Sequence, residues 1–112
     1  MPWQRLAVHC DDTDRQALAN ILVSIQMGIA VIDSAVAGLG GCLFAYGATG
    51  NVATEDVLFM LLDMGITTDV SLPEVVAAGR MISAALDRPI TSRVAAVFCT
   101  NGLLIGSCGA VE

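Results

Sequence analysis

The spacing of apolar residues changes period several times along this chain, and each change predicts an element. Leu6-Ala7-Val8-His9-Cys10 is a short apolar run that ends in polar residues, which suits a buried parallel strand whose C-terminal end faces a site. Asp11-Asp12-Thr13-Asp14 then supplies a helix start. From Arg15 the apolar positions Ala17, Leu18, Ile21, Leu22, Ile25 and Met27 fall at helical spacing, with Gln16, Asn20, Ser24 and Gln26 between them and Gly28 as the stop. Ile29 to Ala37 follows almost at once, β-branched in its first half and bounded by Gly28 and Gly38. Strand, helix and strand within about thirty residues make a βαβ unit, whose two strands should be parallel.

A second helix begins near Asn51 to Asp56, continues through Val57, Leu58, Met60 and Leu61, and closes at Gly65. A third runs from Leu72 to Leu86, with Ser71 as its N-cap and Pro73 in its first turn, and stops before Arg88-Pro89. Arg93 to Phe98 fits a helical turn or a strand equally well, and Asn101 to Glu112 is apolar and glycine-spaced without a period.

A chain of 112 residues with 55% hydrophobic content can build one small core, so a single domain is expected. Asp33, the Gly38, Gly40, Gly41 cluster, Asp56, Asp63 and Asp69 interrupt the apolar stretches. No segment therefore reaches the roughly 18 apolar residues of a membrane helix, and no membrane partner is expected. A formal charge of −6 disfavours a nucleic-acid footprint. Cys10, Cys42, Cys99 and Cys108 form no CxxC pair, and the start lacks a secretory pattern. The expected compartment is the cytoplasm, or the mitochondrion if a targeting segment precedes this start.

In parallel sheets ligands gather beyond the carboxyl ends of the strands. His9 and Asp11 sit at one such end and Gly38 to Asn51 at the next. Alternation lets His9 and Asp11 point together while Cys10 points elsewhere. An imidazole, a carboxylate and the amide oxygen of Asn51 make a partial shell for a divalent cation, which water or substrate would complete. Each residue also has a plainer reading: a satisfied polar strand end for His9, a helix cap for Asp11, a small buried hydrophobe for Cys42, and a corner for the glycines.

Two stretches carry a resemblance. SAVAGLGGCLFAYGATGNVATEDVL, residues 34–58, closely resembles the signature loop of the hydroxymethylglutaryl-CoA lyase family, a glycine-leucine-glycine-glycine-cysteine run before a glycine-asparagine and an alanine-threonine-glutamate-aspartate helix start. VHCDDTDRQALANILVSIQMGIAVIDS, residues 8–34, is similar to the same family's histidine-cysteine-histidine-aspartate-threonine strand end and the helix after it. The similarity runs from about Leu6 to Val97 in unbroken order. The glycine-glycine-cysteine argues against the related aldolases and condensing synthases.

The resemblance implies an α/β fold, a partial TIM (β/α)8-type barrel in which residues 1–100 form the C-terminal strands and helices and 101–112 a divergent tail. It implies a lyase that cleaves hydroxymethylglutaryl-CoA to acetoacetate and acetyl-CoA with Mg²⁺ or Mn²⁺. By position, His9 and Asn51 match metal ligands, Cys42 matches the loop cysteine that takes part in proton transfer, and Gly38, Gly40 and Gly41 match the loop that closes over the acyl-CoA substrate. There are departures. Asp11 stands where the family has its second histidine ligand, Arg15 where it has a glycine, and Leu43 where it has a proline. A full barrel takes about 250 residues, so activity would need strands from a second copy or a complementing chain. The alternative is a non-catalytic relative that acts at most as an oligomerising module.

Overall fold

The computed structural model describes residues 2–41 and 50–101. It is a mixed α/β structure in the order β1 (Ala7–His9), α1 (Ala17–Gln26), β2 (Val31–Asp33), α2 (Thr54–Asp63), α3 (Leu72–Ala85) and α4 (Arg93–Asn101). β1 and β2 pair in parallel, as the βαβ spacing predicts, with Ala7 opposite Val31, Val8 opposite Ile32 and His9 opposite Asp33. That register sets the two faces of the sheet. Val8 and Ile32 turn inward and pack, with Cys10, against a cluster of Ala17, Ile21, Val52, Val57 and Leu61. Ala7, His9, Val31 and Asp33 lie on the other face, exposed.

The ladder is shorter than the apolar runs because the chain crosses over itself beyond it. Asp11 pairs antiparallel with Asn51, and Ala35 pairs in parallel with Ala53. The hydrogen bonds Val52 N to Cys10 O (3.3 Å), Asp12 N to Gly50 O (3.1 Å), Ala35 N to Val52 O (3.0 Å) and Thr54 N to Ala35 O (2.9 Å) lace residues 50–54 between the ends of both strands. These bonds satisfy backbone groups that the short strands leave unpaired.

α1 begins later than the acidic run predicts. Asp14 (φ 55°) and Arg15 (φ 62°) both adopt the left-handed conformation, which interrupts the helix until Ala17. The Ala17 N–H then reaches back to Asp12 Oδ1 at 3.4 Å, so the acidic run caps the helix from a distance. A side chain in this conformation costs roughly 1 kcal/mol that glycine avoids. Arg15→Gly is therefore expected to raise the unfolding free energy by about 0.5–1 kcal/mol in urea titration. No gain would mean that the Arg15 to Asp12 ion pair, 3.6 Å long, outweighs the strain.

α2 is the wall shared by two clusters. Val57 and Leu61 face the sheet-side cluster, and Leu58 faces a second one of Leu72, Val76, Ala95 and Phe98 from α3 and α4. Ser71 caps α3 by accepting from Glu74 N at 3.5 Å. The segment 93–98 is helical because its start is fixed from α2. Ser92 Oγ accepts from Ala95 N (3.0 Å) and donates to Asp56 Oδ1 (2.7 Å), which also accepts from Val94 N (3.1 Å). No helix among the described residues is long and apolar enough to cross a membrane.

Candidate functional site

The lacing of residues 50–54 to the ends of β1 and β2 brings His9, Asp11 and Asn51 to one end of the sheet. His9 Nε2 stands 3.7 Å from Asp11 Oδ1, and His9 Nδ1 stands 3.7 Å from Asp33 Oδ2. Both separations exceed a hydrogen bond. His9, Asp11 and Asp33 are all about half exposed, so the imidazole lies between two hydrated carboxylates. Cys10 turns the other way as the alternation predicts, and burial first, then the Asp11 charge, pushes its thiol above the ordinary value. It stays protonated at neutral pH, in keeping with a packing role.

Asn51 is held by its amide nitrogen, which donates to Leu39 O at 2.8 Å and leaves Oδ1 as the acceptor. That bond requires the loop backbone to come close, and glycine permits it. A Cβ on Gly40, at φ 99°, would stand 2.6 Å from Asn51 Nδ2. A Cβ on Gly50 would run into the carbonyl oxygens of Gly40 and Gly38. Gly38 itself lies against Asn51 O and Thr91 Oγ1, whereas a Cβ on Gly41 would meet nothing within 4 Å among the described residues. The glycines thus do more than turn a corner: three of them let two backbone segments touch around Asn51. Cys42 lies outside the described residues.

The foot of this loop rests on residues the sequence did not single out. Ala37 sits in the left-handed conformation (φ 59°) and is held from both sides. Its N–H is shared by the two carboxylate oxygens of Glu55, each at 3.0 Å, and its carbonyl accepts from Thr91 Oγ1 at 2.8 Å. These three bonds to one strained residue fix where the loop leaves the sheet. Glu55 is 1% exposed, and Gly79 on α3 makes room for it, since a Cβ there would collide with Oε1. Burial raises the Glu55 carboxyl above its ordinary value, more than its backbone hydrogen bonds lower it. Glu55 reads in sequence as a first-turn helix residue, and its burial depends on a glycine far along the chain.

A cavity of about 290 Å³ opens beside the loop, lined among others by Asp12, Arg15, Gly40, Asn51, Arg88 and Thr91. Asn51 is thus common to the cavity wall and to the His9 and Asp11 end of the sheet. Among the described residues, no group of three or more His, Cys, Asp or Glu side chains is gathered to hold a metal ion by itself. The backbone pairing sets Asn51 beside Asp11, and with His9 these residues offer one imidazole, one carboxylate and one amide oxygen, donor types that suit a hard cation keeping water or substrate as further ligands.

The chain is similar to known proteins over most of its length. The HMGL-like family model matches residues 2–82. The mitochondrial hydroxymethylglutaryl-CoA lyase of Arabidopsis thaliana is 58% identical over 95 residues, covering 85% of this chain and 20% of that protein. The mitochondrial enzyme of the same name from Rattus norvegicus is 54% identical over 99 residues, covering 88% of this chain and 30% of that protein. The crystal structure of hydroxymethylglutaryl-CoA lyase from Pseudomonas aeruginosa superimposes with a TM-score of 0.86 at 51% identity, over 90% of this chain and 34% of that one. The chain therefore spans about a third or less of the relatives it matches.

Proposed function

This chain belongs to the HMGL-like family, the hydroxymethylglutaryl-CoA lyases, and from that premise we propose that it carries the cation ligands and substrate loop for cleaving hydroxymethylglutaryl-CoA to acetoacetate and acetyl-CoA. In this reading residues 1–100 are the C-terminal part of a (β/α)8-type barrel, with 101–112 a divergent tail. The observation that carries it is the backbone pairing of Asp11 with Asn51 beside His9, at the carboxyl ends of two parallel strands.

His9, Asp11 and Asn51 would hold Mg²⁺ or Mn²⁺, which when bound polarises the hydroxyl and carboxylate oxygens of the substrate. His9 Nε2 and Asp11 Oδ1 stand 3.7 Å apart, so both donors would reach one cation held between them. Asp11 brings a charge where the family has a neutral imidazole, which favours a hard cation. The amide of Asn51 ties the ligand set to the loop through Leu39, so placing the cation and placing the loop are one event. Gly38, Gly40 and Gly41 bring the loop backbone close to the acyl-CoA, and Cys42 moves a proton to or from the reacting carbons. The remaining barrel strands come from a second copy or a complementing chain, because an open parallel sheet leaves its edges unpaired.

Calorimetric titration of the purified chain with Mn²⁺, with its mass in solution measured alongside, tests this. Saturable binding is expected, weakened at least about tenfold in Asn51→Ala, and it would be followed by a cleavage assay on hydroxymethylglutaryl-CoA. A folded sample that binds no Mn²⁺ would leave the family fold without the family chemistry.

A further inference from the structure

We propose that Asp33 is a positioning residue that orients the His9 imidazole toward the cation, an inference that rests on the reading of His9 as a ligand. Asp33 is the register partner of His9 across the parallel ladder, so both side chains leave the same face of the sheet. Its Oδ2 stands 3.7 Å from Nδ1, while Nε2 stands 3.7 Å from Asp11 Oδ1 on the other side of the ring. The two nitrogens thus face two different carboxylates. The neutral ring has one N–H and one lone pair, and the hydrogen bond made by one nitrogen decides which is which. A closure of roughly 0.8 Å, to hydrogen-bond length, lets Asp33 accept from Nδ1–H and leaves the lone pair on Nε2, the nitrogen that shares its surroundings with Asp11. A metal-binding imidazole that donates its other nitrogen to a carboxylate is both fixed in angle and made more basic. Nothing in the apolar run Ile29–Ile32 marks the following Asp33 as part of a site. Its place emerges only from the ladder.

The chain has a single histidine, so the ¹⁵N signals of its ring nitrogens need no assignment and can be read without any cation. With the ring in its neutral form, the wild type is expected to carry its proton on Nδ1. Asp33→Leu is expected to lose that preference, and Asp33→Asn, whose Oδ1 still accepts, to keep it. Mn²⁺ affinity should follow the same order, falling about 10–100-fold in Asp33→Leu and recovering to within a few-fold in Asp33→Asn. Far-UV circular dichroism checks that both variants are folded, which the exposure of Asp33 makes the expected result.

An unchanged proton position in Asp33→Leu overturns the proposal. So does equal Mn²⁺ weakening in both variants, which would make the contribution one of charge and not of orientation. A wild type that binds no Mn²⁺ yet shows the Asp33-dependent proton position refutes the cation site while leaving the orientation of His9 standing. The two readings therefore fail separately.

Discussion

Gly50→Ala is expected to disable the site and loosen the fold together, with a loss of stability of about 2–3 kcal/mol, because the added carbon meets backbone and not a side chain that can swing away. Its Cβ would collide with the carbonyl oxygens of Gly40 and Gly38 and lie 2.9 Å from the Gly40 carbonyl carbon. Residue 50 cannot retreat either, since its own carbonyl accepts from Asp12 N at 3.1 Å and the next residue pairs with Asp11. Relief comes by pushing residues 38–40 away, and that breaks the 2.8 Å bond from Asn51 Nδ2 to Leu39 O. The substitution should therefore reproduce the Mn²⁺ defect of Asn51→Ala although it removes no ligand. Gly41→Ala is the control: its Cβ meets nothing within 4 Å among the described residues, so stability should move by less than about 0.5 kcal/mol. Urea unfolding and Mn²⁺ calorimetry on the two variants decide the matter, and equal behaviour of both would sink the close-approach account.

The elements that were legible in the sequence are those whose signal is local. The βαβ unit, its parallel pairing, the stop at Gly28 and the Ser71 cap of α3 follow from spacing and turn chemistry over a few residues. The start of α1 is not legible because Asp14 and Arg15 look like ordinary first-turn residues, yet both lie in the left-handed region. Arg15 hides the glycine that would have flagged the bend. The segment 93–98 fits helix and strand alike in sequence because its deciding contact, Ser92 with Asp56, joins residues far apart along the chain. The site divides the same way. His9, Asp11 and Asn51 could be read from strand ends and from the resemblance, whereas Asp33 and Glu55 take their meaning from a ladder partner and from Gly79.

Glu55→Ala is expected to cost about 2–4 kcal/mol, the sum of a buried cavity and an orphaned Ala37 N–H. The cost should fall hardest on the loop. Ala37 holds a left-handed conformation, and without the two 3.0 Å contacts from Glu55 only Thr91, among the described residues, would hold it there. Glu55→Gln separates shape from charge, because the amide keeps an acceptor for Ala37 N–H and removes the ionisable group. The direction with pH then follows. Burial raises the folded-state carboxyl above its unfolded value, so the folded protein holds this proton more firmly than the unfolded chain does. That contribution is fully present below the ordinary glutamate range and is lost as pH rises through the raised folded value. Compared with the wild type, Glu55→Gln should therefore gain relative stability on going from acid to neutral pH, read from urea unfolding at several pH values. A pH-independent difference between the two would mean that Glu55 is solvated in the folded state. In that event its carboxylate could not be the buried anchor that fixes Ala37, and the placement of the loop over Asn51 would have to come from Thr91 and the glycine contacts alone.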